Sequence, residues 1–197
     1  LLDLAQRIGE PAVLFPTGDA LVLPLSRHRQ ELAKYYRFLI SDHDLVERLL
    51  SKSGLSDTIQ ERGIPGPRST VVMEAAAFAS VEGDLRYPVI VKPVYSASWY
   101  RREMVAQIGH RKVVMVGNRE ELRHWYGVIA AVDPRVVLQE CIPGEDSRLY
   151  YVCGYFGADG SLEAVFAGQK LRVVPVHFGS ASFVASVRDE RLVEATR

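Results

Sequence analysis

Residues 63–67 read Gly63-Ile64-Pro65-Gly66-Pro67, and no regular helix or strand can run through them. Each proline removes a backbone donor and fixes φ at about −65°, and the residue before it is pushed out of the helical region. The glycines add freedom rather than order, so the segment reads as a rigid, extended link between two parts of the chain. Before it, Leu1, Leu2, Leu4, Ala5 and Ile8 suit a helix ended by Gly9. Ala12-Val13-Leu14-Phe15 then reads as a short buried strand broken at Pro16-Thr17-Gly18-Asp19. A helix is expected over 29–37, and another capped by Asp42 with Leu45, Val46, Leu49 and Leu50 on its apolar face, ending near Lys52. This is the rhythm of a parallel α/β sheet in residues 1–64.

Beyond the link, the pattern predicts a helix from about Met73 to Ser80 and a strand Val89-Ile90-Val91-Lys92. A polar loop from Tyr95 to His110 leads to a strand over 112–116. Asn118 followed by Glu121 is a capping box, and the helix it opens carries Leu122, Trp125, Tyr126 and Ile129 on one face. A last strand at Val136-Val137-Leu138-Gln139 completes a compact α+β unit, 65–138, with helices over a small sheet. After Gly144 the pattern turns to β: runs over 149–156 and 162–174 flank Gly157-Ala158-Asp159-Gly160, a hairpin signal.

Composition narrows the function classes. Lys plus Arg is 24 and Asp plus Glu is 24, so there is no net charge to drive a sequence-indifferent grip on nucleic acid. No apolar run approaches the roughly 20 residues that span a bilayer. The two cysteines, Cys141 and Cys153, have no zinc spacing and make no disulfide framework, so a reduced, cytoplasmic setting is expected. The opening at Leu1 and the stop at Arg197, inside a charged helical pattern, read as a piece of a longer protein.

Four features could carry chemistry. Lys92 stands in an otherwise apolar strand; alone it is most simply a lysine reaching to water, but a buried ammonium also suits an anion. Lys52 lies 11 residues before Gly63, where a last-turn lysine would also serve the helix dipole. Gln139-Glu140-Cys141-Ile142-Pro143-Gly144-Glu145-Asp146 ends a strand in polar groups and a turn, and as a hinge could offer backbone groups to a purine edge. Lys170 and Arg172, two apart on a strand, should share one face while Leu171 and Val173 share the other.

The order of these pieces resembles the ATP-grasp superfamily, in particular its branch of D-aspartate ligase and carbamoyl phosphate synthase. The matching stretches are the lysine before Gly-Ile-Pro-Gly-Pro, Tyr-Pro-Val-Ile-Val-Lys-Pro at 87–93, Leu-Gln-Glu-Cys-Ile-Pro-Gly-Glu-Asp at 138–146, and Gln-Lys-Leu-Arg-Val-Val-Pro-Val-His-Phe-Gly-Ser at 169–180. The resemblance implies an ATP-grasp fold: a small lid subdomain at 65–138, hinged to a mainly β core that starts at 139, after a remnant of a preceding α/β domain at 1–64.

It implies Lys52 and Lys92 on the ATP phosphates and Gln139 at the adenine amino group. Glu140 and Ile142 would offer backbone bonds to the ring, Asp146 would accept from the ribose, and Lys170 and Arg172 would hold the transferring phosphoryl group. The implied reaction joins a small-molecule carboxylate to an amine or ammonia through an acyl phosphate, with Mg²⁺ as the metal. Two departures stand out. Residues 95–102 lack the glycines of a phosphate-covering loop, and the metal-binding Glu and Asn pattern is expected beyond Arg197, which would leave the 197 residues inactive alone. A nucleotide-binding module without catalysis and an interaction domain without nucleotide are the other readings, with no nucleic-acid or membrane partner and a homo-oligomer left open.

Overall fold

The computed structural model describes residues 1–157 and 159–196; Ala158 of the expected hairpin turn and Arg197 lie outside the described residues. In the N-terminal part, α1 (Leu2–Ile8) ends at Gly9 in the left-handed conformation, as its sequence requires. It is followed by β1 (Ala12–Val13), α2 (Asp19–Arg27), α3 (Arg29–Leu32), β2 (Tyr36–Arg37), α4 (His43–Leu50) and α5 (Lys52–Glu61). The parallel pairing is present, with Ala12 opposite Tyr36 and Val13 opposite Arg37.

Several expectations for this part are corrected. The helix over 29–37 stops at Leu32, because Tyr36 is drawn into the small cluster of Ala5, Leu25 and Leu32 and its hydroxyl donates to the Leu1 carbonyl (2.8 Å). The strand at 12–15 is not buried: Ala12 and Leu14 pack on that cluster, whereas Val13 and Phe15 alternate outward and are exposed. Helix α2 runs through Pro24, and α5 contains Ser53, Gly54, Ser56 and Thr58, so neither reads as a helix from propensity. Ser51 caps α5 by accepting from the Gly54 N–H (2.9 Å). A Cβ at Gly54 would lie 2.3 Å from the Arg48 carbonyl oxygen, so only glycine lets α5 pack this tightly on the end of α4.

The middle part holds β3 (Ser69–Val72), α6 (Phe78–Val81), β4 (Val89–Pro93), α7 (Arg102–Ile108), β5 (Val114–Val116), α8 (Arg119–Ala130) and β6 (Val136–Glu140). The strands form one antiparallel sheet in the order β3-β6-β4-β5. One sheet face supplies Val72, Val89, Val91, Val116, Val136 and Leu138 to a core closed by Met104 and Ile108 of α7 and Leu122, Tyr126 and Ile129 of α8. Phe78 stacks on Tyr126 with ring centroids 3.9 Å apart. The capping box is present: Asn118 Oδ1 accepts from the Glu121 N–H (2.9 Å), while Glu121 reaches back to the Gly117 N–H (2.8 Å).

Two expectations change here. The helix expected from Met73 to Ser80 is reduced to a 3-10 turn at Ala75–Ala77 and the short α6, after a strand at 69–72 that the sequence pattern does not mark. The polar loop at 95–110 is largely helical, a 3-10 turn at Ser96–Tyr100 followed by α7, because Trp99, Met104 and Ile108 are buried in the core. Polar residues set the average of that stretch, but three large apolar side chains set its structure.

The last part is β7 (Leu149–Phe156), β8 (Leu162–Val174) and β9 (Ser180–Ser186), an antiparallel meander, then α9 (Glu190–Glu194). The simple alternation expected at Lys170 and Arg172 fails. Lys170 opposes Val184 and Arg172 opposes Phe183, so Leu171 is an extra residue in β8 and the register slips again before Val173.

Candidate functional site

Strand alternation makes the open face of the four-stranded sheet the one that bears Ile90, Lys92, Val137, Gln139 and Ser69. Three of these are polar and connected. The Lys92 Nζ donates to Gln139 Oε1, and Gln139 Nε2 donates to Ser69 Oγ (2.9 Å). Gln139 therefore uses both ends of its amide within the sheet, and it orients the Lys92 ammonium.

Lys52 is the first residue of α5 rather than part of a last turn, which removes the bland explanation for it. A cation at a helix N-terminus opposes the dipole. Its backbone N–H donates to the Val94 carbonyl just beyond β4 (3.1 Å), and its Nζ donates to Ser96 Oγ (2.8 Å). The two lysines line the same two cavities. One, of about 600 Å³, lies between α5 with the proline-glycine link and the open sheet face at Lys92, Val137 and Gln139. The other, of about 400 Å³, is lined by Asp19, Ser96, Trp99, Arg111, Lys112 and Phe178 as well. The expected partner wall was the sheet after Gln139; α5, unseen in the sequence pattern, takes most of that place.

Burial pushes the Lys92 ammonium below the ordinary lysine value. Burial and then the nearby Lys92 charge do the same to Lys52, against a smaller opposing pull from Asp19. Among the described residues neither lysine has a carboxylate within 4 Å. Two like charges held together, partly dehydrated and unpaired, form a site that an anion would stabilise.

At the end of β6, the Glu140 N–H donates to the Arg68 carbonyl (2.8 Å) and the Cys141 N–H to that of Pro88 (3.2 Å). The next residue, Ile142, is exposed and its N–H has no partner among the described residues. Asp146 does not face open solvent: its Oδ2 accepts from the His177 N–H (2.9 Å) and lies 3.7 Å from His177 Nδ1. That contact pins a tight loop in which His177 and Phe178 both have left-handed φ, 60° and 61°. Lys170 is half-buried opposite Leu149, next to the turn that carries Asp146, whereas Arg172 is exposed. Neither lines the two cavities that Lys52 and Lys92 share.

Sequence reasoning missed Asp19, Ser96, Trp99, Arg111, Lys112 and Phe178. The signal for two of them was available: Arg111-Lys112 is a pair of cations immediately before a strand. Among the described residues no group of His, Cys, Asp or Glu side chains gathers as a metal site, so these residues do not fit Mg²⁺. No described helix is long and apolar enough to cross a membrane.

No family model matches the chain. In sequence it is similar to D-aspartate ligase of Enterococcus faecium, 26% identical over 182 residues, which is 90% of this chain and 42% of that protein. It is also similar to the C-terminal section of the carbamoyl phosphate synthase large chain of Methanopyrus kandleri, 32% identical over 98 residues, 50% of this chain and 16% of that protein. The chain thus spans less than half the length of these curated relatives. In structure it is similar to the ADP complex of N5-carboxyaminoimidazole ribonucleotide synthetase, with TM-score 0.59, 13% identity, and coverage of 87% of this chain and 42% of that one. D-alanine–D-alanine ligase of Bacillus anthracis complexed with ATP gives TM-score 0.57 at 15% identity, over 95% of this chain and 58% of that one.

Proposed function

With the chain assigned to the ATP-grasp superfamily by its fold and by these relatives, we propose that it is the nucleotide-binding part of an ATP-dependent ligase that joins a small-molecule carboxylate to an amine or ammonia. The observation that carries this reading is the convergence of Lys52 and Lys92, from two separate elements, on one cleft, with no carboxylate within 4 Å of either among the described residues.

The two ammonium groups hold the phosphate chain of ATP. Gln139 keeps Lys92 aimed at it, and the same side chain meets the adenine amino group. The free Ile142 N–H donates to the purine edge, and Glu140 ends the strand that presents it. Asp146 borders the ribose while it anchors the loop at His177. Lys170 and Arg172, on β8, serve the transferring phosphoryl group.

In the reaction a carboxylate oxygen attacks the γ-phosphorus and ADP leaves. The amine nitrogen then attacks the acyl carbon of the acyl phosphate, phosphate leaves, and the nitrogen loses a proton. The protein's contribution is charge and position rather than a nucleophile, which is why its candidate residues are cations and backbone groups. We place the reaction in the cytoplasm.

Calorimetric titration of the full-length protein with ATP and ADP tests this reading. Binding that is lost in Lys92→Met supports it. No binding of either nucleotide, with or without divalent metal, overturns it.

A further inference from the structure

The cavity of about 400 Å³ holds more positive charge than Lys52 and Lys92 supply. Arg111 and Lys112 line it as well, and Asp19 is the one carboxylate among its lining residues. Among the described residues none of the four cations has an ion-pair partner within 4 Å. Their other contacts are neutral: Ser96 for Lys52, Gln139 for Lys92, Ser180 for Lys112, and the Trp125 ring, 5.5 Å from the Arg111 guanidinium carbon. These contacts orient the cations without neutralising them.

Trp99 also lines this cavity and is 2% exposed, and among the described residues its indole N–H has no hydrogen-bond partner.

The surrounding fold limits what can close over this cavity. The segment that would otherwise fold over a bound phosphate chain is short of glycine and is a 3-10 turn and α7, pinned by Trp99, Met104 and Ile108 in the core. It cannot act as a loose flap without giving up core contacts. Arg111 and Lys112 follow α7 after Gly109 and His110 and line the cavity, and the Lys112–Ser180 bond ties that stretch to the start of β9.

We infer that Arg111 and Lys112 form a fixed second arm of the anion site that grips the outer phosphates of a polyphosphate chain, in place of a closing loop. This rests on the nucleotide reading only in taking the ligand to be phosphorylated. Four cations against one carboxylate match a ligand with several negative charges rather than a single carboxylate or orthophosphate.

The test uses inorganic tripolyphosphate, ATP and AMP as calorimetric probes of the full-length protein and of Arg111→Gln, Lys112→Met and the double variant. Each charge-assisted contact removed should weaken tripolyphosphate and ATP by about tenfold, AMP should change less than about twofold, and Lys112→Arg should recover most of the loss. Both side chains are exposed, so thermal melts should be unchanged. If the double variant binds tripolyphosphate and ATP as tightly as the parent while Lys92→Met does not, the second arm is refuted and the nucleotide reading stands. If tripolyphosphate binds and depends on Arg111 and Lys112 but no adenine nucleotide binds, the arm stands and the nucleotide reading falls. Equal losses for AMP and tripolyphosphate would also overturn the arm, because they would mean a general collapse of the cleft.

Discussion

The four-stranded sheet of β3 to β6 and the three-stranded sheet of β7 to β9 draw on similar residues and bury them very differently. The first places one face against α7 and α8, so Val72, Val91, Met104, Val116, Leu122, Ile129, Val136 and Leu138 lose essentially all contact with water. The second has long strands and many hydrogen bonds, yet Tyr155, Phe156, Val165, Phe166 and Phe183 stay exposed, and Ala167 and Val173 are its buried apolar residues. Hydrogen bonding organises a sheet, but burial against a second layer is what stabilises it. The cleft lysines follow the same division: Lys92 is precise because its strand is packed from behind, whereas Lys170 and Arg172 sit on a strand whose register slips twice.

The sharpest way to break this contrast is to truncate one residue in each sheet. Leu122→Ala or Ile129→Ala should cost about 2–5 kcal/mol, while Phe183→Ala should stay within about 0.5 kcal/mol; urea unfolding curves measure both. Similar losses at the two places would mean that the meander carries as much of the stability as the packed sheet.

Next in size is Lys92→Met. It should weaken ATP at least about tenfold, through loss of a charge-assisted contact, and at the same time raise the melting temperature of the ligand-free protein, because it removes a partly buried cation that has no counter-ion. A fall in both quantities would show that Lys92 holds the sheet together through Gln139 rather than serving a ligand.

Asp133 tests the packed region from its polar side. It is 3% exposed, and although burial alone would raise it, the two-pronged contact with Arg135 and the charge of Arg101 hold its carboxyl below the usual value. A carboxyl lowered in the folded state stabilises fully above its unfolded value of about 3.9 and loses that contribution as pH falls through the folded value. Asp133→Asn should therefore cost about 1–2 kcal/mol at neutral pH and flatten the acid limb of a stability–pH profile. An unchanged acid limb would remove Asp133 from the account.

The smallest effect is a proton count. Because Lys52 and Lys92 are lowered in the free protein, an arriving polyanion should return them toward about 10.4. Between the lowered and the restored values, ATP binding should take up a fraction of a proton, read from calorimetry in buffers of different ionisation enthalpy at alkaline pH. Zero uptake there would mean that the phosphates do not reach the two ammonium groups.

Much of the packed region was legible beforehand because its signals are local. The Val89–Lys92 run, the Asn118–Glu121 box with Leu122, Tyr126 and Ile129 behind it, and the strand to Gln139 each carry their own period or cap. The misses share a different cause. Helix α5 has weak propensity and forms because Ser51 caps it and Gly54 lets it pack on the end of α4. The 95–110 stretch is polar on average and is helical because Trp99 and Met104 find a core made by distant strands.

From residues alone came the break in regular structure at Gly63–Pro67, the α+β pattern after it, the paired runs at 149–156 and 162–174, and Lys52, Lys92 and Gln139 as candidates. These follow from periods, caps and turn chemistry, which act over a few residues. Tertiary structure alone decided that Lys52 opens a helix and shares a cleft with Lys92, that Gln139 spends its amide on that lysine, and that Arg111 and Lys112 line the same cavity. Such facts depend on which distant elements meet, and on charges left unpaired when they do, and neither is set by spacing along the chain.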